Sequence, residues 1–209
     1  MKNQDTAFVY VAKFDDAVEV RSVQPAIRNE AIERCSDKLT KLQRYCVWRL
    51  LDYALTRHFG KGVADFHFEV DSNGKWSSSE VCFSLTHCNH AVAVAVCSEP
   101  VGVDIEAVSS FVNKACDDKF VLRVLAASEI AQLNVTPQAQ SARLLTEIWT
   151  QKESLFKLSG GKTFVPGCID TAASTTHCQF LQLDGADYAL SVATPSNIAV
   201  QVQVVDVSF

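Results

Sequence analysis

Apolar and polar residues follow each other in blocks that predict a mixed α+β protein. The stretch "AFVYVAKF" (7–14) is rich in strand formers, whereas residues 37–59 contain neither Gly nor Pro and repeat apolar side chains at helical spacing. Asp37 is a suitable N-cap for that helix, and Gly60 is placed to end it. The chain is therefore predicted to begin with a strand and a long helix.

The remaining pattern predicts short strands and one further helical region. Helical segments run from about 111 to 158 and precede the loop "GGKTFVPG" (160–167). Strands are predicted at 66–70, 81–87, 90–97, 101–108, 178–183, 188–194 and 199–205. This order favours an α+β fold of two similar α/β halves, residues 1–100 and 101–209, related by pseudo-twofold symmetry. The cleft between the halves is the natural place for an active site.

Composition narrows the class of protein. The 209 residues are 48% hydrophobic and 21% charged, which suits a folded globular chain. The net charge of −5 argues against nucleic-acid binding through overall charge. Eight cysteines without a C-x-x-C pair are interpreted as reduced core residues. Neither a signal peptide nor a membrane span is expected, and a cytoplasmic monomer is predicted.

The predicted strand "VGVDIEAV" (101–108) carries two acids one residue apart. Side chains alternate along a strand, so Asp104 and Glu106 share one face. Mg²⁺ prefers carboxylate oxygens together with phosphates and water. From this stretch alone, a solvated outer face of a sheet explains the two acids better than a metal site does.

A second candidate group lies in the helical stretch "LLTEIWTQKESLFKLSGG" (144–161). Trp149, Glu153 and Lys157 are each four residues apart and therefore share one helix face, beside an apolar stripe of Leu145, Trp149 and Phe156. The alternative is an ordinary Glu-to-Lys surface pair, worth a few tenths of a kcal/mol.

Together these two stretches resemble the 4′-phosphopantetheinyl transferases of the surfactin-synthetase-activating type. That family is marked by G-[VI]-D-[IVL]-E and, some forty residues later, W-x-x-K-E-[SA]-x-x-K; here these are "GVDIE" (102–106) and "WTQKESLFK" (149–157). Two further family features occur in altered form, "NGKW" (73–76) and "FSLTHC" (83–88). The resemblance spans roughly residues 28 to 165.

The resemblance implies an enzyme that transfers the 4′-phosphopantetheine of coenzyme A (CoA) to a serine hydroxyl of an acyl or peptidyl carrier protein, releasing 3′,5′-ADP. Carriers of fatty-acid, polyketide or nonribosomal peptide synthesis are all compatible. By this likeness Asp104, Glu106 and Glu153 would hold Mg²⁺, or Mn²⁺. Glu153 would also act as the general base, with Glu129 in "AASEIAQL" as another candidate. Lys157 and Lys152 would stabilise the leaving phosphate.

The resemblance also implies contacts for the nucleotide end of CoA. Arg44, Thr86 and His87 would contact the 3′-phosphate, with Arg28 or Arg34 adding a contact and Lys75 near the adenine or the phosphate end. A local basic surplus supports this, because residues 34–61 hold seven Lys or Arg against two acids. The sequence departs from the family pattern at two positions: Trp76 stands where the family usually has proline, and Thr86 where it has serine.

Two other functions use the same residues. A non-catalytic module that binds CoA or a carrier protein would keep the fold without turnover. A metal-dependent hydrolase of nucleoside pyrophosphates would use the same acids and lysines but release free phosphopantetheine. Transfer to a carrier serine is the outcome that separates them.

Overall fold

Strands and helices occur in separate runs along the chain and the sheets are mostly antiparallel, which confirms the α+β class. The computed structural model describes residues 6–72, 74–195 and 198–209. Its strands are β1 (Thr6–Lys13), β2 (Glu69–Val70), β3 (Trp76–Ser77), β4 (Cys82–Cys88), β5 (Ala91–Cys97), β6 (Gly102–Ala107), β7 (Thr176–Leu183), β8 (Ala186–Ala193) and β9 (Ala199–Val204). Its α-helices are α1 (Ala26–Glu33), α2 (Lys38–Phe59), α3 (Asp118–Val124), α4 (Ala127–Val135) and α5 (Gln138–Ser159).

The chain divides into two compact units. The first comprises the described residues up to Pro100 together with Ile198–Phe209, and the second begins at Val101. The prediction had assigned all of 101–209 to the second half, but β9 pairs in parallel with β1 and so belongs to the first unit. Which sheet a strand joins depends on the strand to which it hydrogen-bonds, and only the tertiary structure determines that.

A four-stranded sheet and the long helix α2 build the first unit. The strand order is β4-β5-β1-β9, with β1 antiparallel to β5. Trp48, Leu51 and Leu55 of α2 pack into a core with the apolar side chains of β1 and β5. The predicted bounds of α2 are confirmed: the Asp37 side chain accepts from the Thr40 amide, and Gly60 ends the helix in the left-handed conformation at φ 65°.

The second unit contains a three-stranded antiparallel sheet in the order β6-β8-β7, and α5 packs across β6 and β8. Phe111, Leu145 and Ile148 form the centre of a second core, and Trp149 packs against it. Of the predicted strand 66–70 only β2 forms. No helix within the described ranges is long and apolar enough to cross a membrane.

Candidate active site

The acids of β6 lie beneath α5 and not on a solvated face. Asp104 is 5% exposed, and its partner across the antiparallel ladder is Ser191 of β8. Directly opposed residues share a face, and the Ser191 hydroxyl is 2.8 Å from the Thr150 hydroxyl of α5. The face that carries Asp104 and Glu106 is therefore the one that α5 covers. This geometry removes the alternative of a solvated outer sheet face.

Lys157 of α5 reaches the acid pair directly. Its ammonium lies 2.8 Å from Oδ1 of Asp104 and donates to the Val103 carbonyl at 3.0 Å. The Lys157 side chain is 26% exposed and that of Asp104 is 7% exposed. The pair is thus not an exposed helix pair: Asp104 is buried, and Lys157 is the member that solvent partly reaches.

Small residues let α5 approach β6 this closely. A Cβ on Gly102 would lie 1.9 Å from the Ser154 carbonyl oxygen, so only glycine fits under the helix. Thr146, Thr150 and Ser154 are all fully buried, at helical spacing. The stripe predicted from Leu145, Trp149 and Phe156 was therefore incomplete, because hydroxyl residues form the closest contact with the sheet. Sequence patterns weighted by side-chain hydrophobicity overlook such a face.

The pKa values of two carboxyl groups near Asp104 are raised toward neutral pH. Burial, with the charge of Asp104 as the next cause, raises the pKa of Glu106 from 4.5 to about 7, against the lowering effect of Lys114 and Lys157. Burial and the charge of Asp104 likewise raise the pKa of Glu153 to about 7, and Lys157 lowers it. Burial and the charge of Asp104 thus disfavour the ionisation of Glu106 and Glu153, and a bound cation would offset this effect.

Carboxylate oxygens are the donors that Mg²⁺ prefers, so the chemistry of Asp104, Glu106 and Glu153 fits the predicted metal. Within the part of the chain that the structure describes, however, no three His, Cys, Asp or Glu side chains converge as a metal site. Asp104 turns one carboxylate oxygen toward Lys157. Binding of a divalent cation by these three acids would require their side chains to reorient.

Lys114 is a residue near this cluster that sequence reasoning missed. Its ammonium lies 4.1 Å from the ring centroid of Phe111 and 5.4 Å from that of Phe120, and its charge lowers the pKa of Glu106. Lys114 begins a short 3-10 helix, Lys114–Cys116. Irregular segments of this kind carry no periodic signal, so only the fold brings Lys114 to the acids.

Glu129 and Lys152, both predicted at the active site, instead form a buried ion pair. The Lys152 ammonium lies 2.7 Å from Oε2 of Glu129, with side chains 0% and 2% exposed. It also donates to the carbonyls of Pro166, at 3.0 Å, and Ile169, so its three N–H groups are all used. Glu129 accepts in addition from the Thr171 amide at 3.0 Å and hydroxyl at 2.8 Å.

This pair argues against two of the predicted roles. A lysine with all its donors engaged cannot also hold a leaving phosphate, and a carboxylate saturated by hydrogen bonds is a weak proton acceptor. The pair instead joins α4 and α5 to the segment after residue 165. The motif places Lys152 next to Glu153 in sequence, but consecutive helix residues point about 100° apart.

The first unit holds a pocket of about 490 Å³ that gathers several of the predicted nucleotide contacts. Arg28, Arg34, Arg44 and His87 line it on the basic side. The remaining wall is mainly apolar, with Ile27, Val47, Val70, Trp76 and Leu85, together with Glu30, Ala31 and Gly74. Basic groups beside an apolar wall suit a phosphorylated nucleotide, whose base is flat and apolar on its faces.

Two predicted contacts lie elsewhere. Leu85 and His87 line the pocket from one face of β4, whereas Thr86 is buried on the opposite face, because side chains alternate along a strand. Lys75 is exposed in the turn between β2 and β3, and its amide donates to Asp71 at 2.9 Å. Asn73 of the same predicted turn lies outside the described residues.

The sequence of the second unit matches a known protein family. Residues 100–196 match the family model described as the 4′-phosphopantetheinyl transferase superfamily. The match includes Asp104, Glu106, Glu153 and Lys157 and ends where the second unit ends. This match confirms the resemblance found in the two motifs.

Two curated proteins extend the comparison. The 4′-phosphopantetheinyl transferase psf-1 of Bacillus pumilus is 29% identical over 119 residues, which are 53% of this chain and 49% of that protein. The 4′-phosphopantetheinyl transferase gsp of Aneurinibacillus migulanus is 29% identical over 87 residues, or 42% of this chain and 35% of that protein. The chain thus spans about half, or less, of the length of the curated relatives it matches.

Proposed function

We propose that this protein is a 4′-phosphopantetheinyl transferase that moves the phosphopantetheine arm of CoA to a serine hydroxyl of a carrier protein. The observation that carries the proposal is the Asp104–Lys157 pair at 2.8 Å beside Glu106 and Glu153, within the segment that matches the superfamily. These four side chains combine acids and a cation at one place on the β6–α5 contact. A phosphoanhydride needs both kinds of group.

In this proposal Glu153 accepts the proton of the attacking serine. In the metal-free protein, burial and the charge of Asp104 raise its pKa to about 7, so it binds a proton more readily than an ordinary carboxyl does. The serine oxygen forms a bond to the β-phosphorus as the phosphoanhydride bond to 3′,5′-ADP breaks. No covalent bond to the enzyme is required.

Asp104 and Glu106, with Glu153, would hold Mg²⁺ in this proposal, with Mn²⁺ as the other candidate. The metal, when bound, supplies positive charge to the pyrophosphate. Lys157 would also supply positive charge to the pyrophosphate. Its ammonium can move from Asp104 to a phosphate oxygen, because Lys157 is the partly exposed member of the pair. Lys152 has no part in this step, because its donors are engaged.

The pocket of the first unit would hold the nucleotide end of CoA. Arg28, Arg34, Arg44 and His87 line it and would contact the 3′-phosphate, and Trp76 offers a flat apolar surface to the adenine. The cleft between pseudo-symmetric halves, predicted from the sequence, belongs to this proposal as the path of the pantetheine arm. The predicted monomeric state also stays a prediction.

Mass spectrometry of an apo carrier protein incubated with this protein, CoA and Mg²⁺ tests the proposal. We expect the carrier to gain one phosphopantetheine, and EDTA to abolish the gain. CoA binding without gain on any of several carriers would contradict transfer and favour the binding module. CoA breakdown without gain would favour the hydrolase.

Two variants and one control sharpen that test. We expect Glu153→Gln to abolish transfer while CoA still binds, and Arg44→Ala to weaken CoA binding. Glu147→Gln is the matched control, because Glu147 lies on the same helix and burial also raises its pKa, but its charged neighbour is Arg143. Equal losses in Glu153→Gln and Glu147→Gln would show that the loss is not specific to the acid cluster.

A further inference from the structure

Arg28 is a buried cation that lies over two indole rings in contact with each other, whose centroids are 5.1 Å apart at an interplanar angle of 59°. It lies on α1, is 5% exposed and lines the pocket of the first unit. Its guanidinium carbon is 4.8 Å from the Trp48 ring centroid and 5.2 Å from the Trp76 ring centroid. Contact with two inclined rings restricts where the guanidinium can lie.

Not every N–H donor of Arg28 has a hydrogen-bond partner among the described residues. One terminal nitrogen donates to the Arg44 carbonyl at 2.7 Å, whereas Nε has no hydrogen-bond partner among the described residues. Across the same residues no carboxylate forms an ion pair with Arg28. A buried guanidinium with an unused donor and no acid partner is a group prepared for an anion that arrives with the ligand.

The electrostatic surroundings agree with this reading. Burial, with the nearby charge of Arg44 as the second cause, lowers the pKa of Arg28 to about 10. The charge of Arg44 therefore disfavours the charged form of Arg28. An anion placed between them would stabilise both.

The two indoles differ in how firmly the fold holds them. Trp48 is fully buried on α2, and its Nε1–H donates to the Gln24 carbonyl at 2.6 Å. Trp76 is only partly buried and comes from the short β2–β3 hairpin, where it pairs with Val70. Trp48 is thus the firmly held part of the aromatic surface under Arg28, while Trp76 is the less firmly held part and also lines the pocket.

We propose that Trp76 is a positioning residue that sets the specificity of this pocket for a phosphate monoester on the nucleotide, because together with Trp48 it forms the aromatic surface that holds Arg28 in place. The inference rests on the proposed function, in which the nucleotide end of CoA occupies this pocket. This role of Trp76 is not expected across the family that the chain resembles, because that family usually has proline at this position. A proline could not present an aromatic face to Arg28.

Calorimetric titration with 3′,5′-ADP and 5′-AMP tests the proposal, because these probes differ only in the 3′-phosphate. The variants are Arg28→Gln, Trp76→Leu, Trp76→Phe and the double variant Arg28→Gln with Trp76→Leu. Leucine keeps apolar bulk in the hairpin without an aromatic face, and phenylalanine keeps the face. Circular dichroism verifies that each variant is folded.

We expect the preference for 3′,5′-ADP over 5′-AMP to fall about tenfold or more in Arg28→Gln and in Trp76→Leu, and by less than about threefold in Trp76→Phe. The double variant should lose no more preference than Arg28→Gln alone, because Trp76 acts through Arg28. Equal weakening of both probes in Trp76→Leu, additive losses in the double variant, or no preference in the wild type would overturn the proposal.

These titrations contain no carrier protein and no CoA, so their outcome is separate from the transfer assay. A protein that does not modify carriers but shows the expected loss of preference would retain this inference and lose the proposed function. If the protein modifies carriers but Trp76→Leu keeps its preference for 3′,5′-ADP, the proposed function stands and this inference is overturned.

Discussion

Lys157 of α5 contacts Asp104 of β6 at 2.8 Å, across 53 residues of sequence. The contact joins the two motifs that mark the chain, so residues distant in sequence meet at one buried face. It also explains why a strand inside an apolar region carries acids: the helix above it supplies the opposite charge.

Replacing Lys157 with Met should destabilise the protein as well as remove transfer. Asp104 would keep a largely buried charge without its ammonium partner, and we expect the free energy of unfolding to fall by about 2 kcal/mol. Urea unfolding measures the change. The double variant Asp104→Asn with Lys157→Met should recover part of the loss, and an unaltered free energy in Lys157→Met would contradict a stabilising pair.

We expect the Glu129 carboxylate to have a structural role and the Glu153 carboxylate a catalytic one. Glu129→Gln would break a buried pair and should lower the free energy of unfolding by about 3 kcal/mol, with the pH profile of transfer unchanged in the folded fraction. Glu153→Gln should abolish transfer without lowering stability, because it removes a carboxyl that burial and Asp104 disfavour. The opposite pattern in thermal unfolding and transfer rates would restore Glu129 as the base.

Gly102→Ala should lower the free energy of unfolding by about 2 to 3 kcal/mol, because a Cβ would lie 1.9 Å from the Ser154 carbonyl oxygen. Gly60→Ala is the control: it costs about 1 kcal/mol through its left-handed backbone alone, with no non-neighbouring heavy atom within 4 Å of an added Cβ. Similar losses in the two variants by urea unfolding would argue against the close helix–strand approach.

Stability of the metal-free protein should decrease as pH rises. Glu106 and Glu153 have pKa values of about 7 in the folded protein against an ordinary 4.5, so the folded state holds protons that the unfolded chain has released. The free energy of unfolding therefore falls between about pH 4.5 and 7 and stays low above that range. Melting temperatures across pH check this. Glu106→Gln should flatten the decline, and Mg²⁺ at pH 8 should raise the melting temperature if these acids bind it.

Lys114→Met should raise the pKa of Glu106 further. The Lys114 charge lowers that pKa in the wild type, and the methionine would keep the aromatic contacts with Phe111 without the charge. Titration of the Glu106 carboxyl carbon by NMR measures the shift. A downward shift, or none, would show that Lys114 does not act on Glu106.

The sequence by itself determined the elements whose signals are local. The spacing along 37–59, the Asp37 cap and Gly60 fixed α2, and the alternation in "GVDIE" placed Asp104 and Glu106 on one face. The two motifs also sufficed for the superfamily, because their residues and spacing are a linear pattern.

Only the tertiary structure decided what each side chain contacts. It showed that Glu129 holds Lys152, that Thr86 faces away from the pocket, and that Lys114 lies beside Glu106. It also placed β9 beside β1. These contacts depend on which segments pack together, and packing is selected by the free energy of the whole fold, whereas a linear pattern records only neighbours within a few residues.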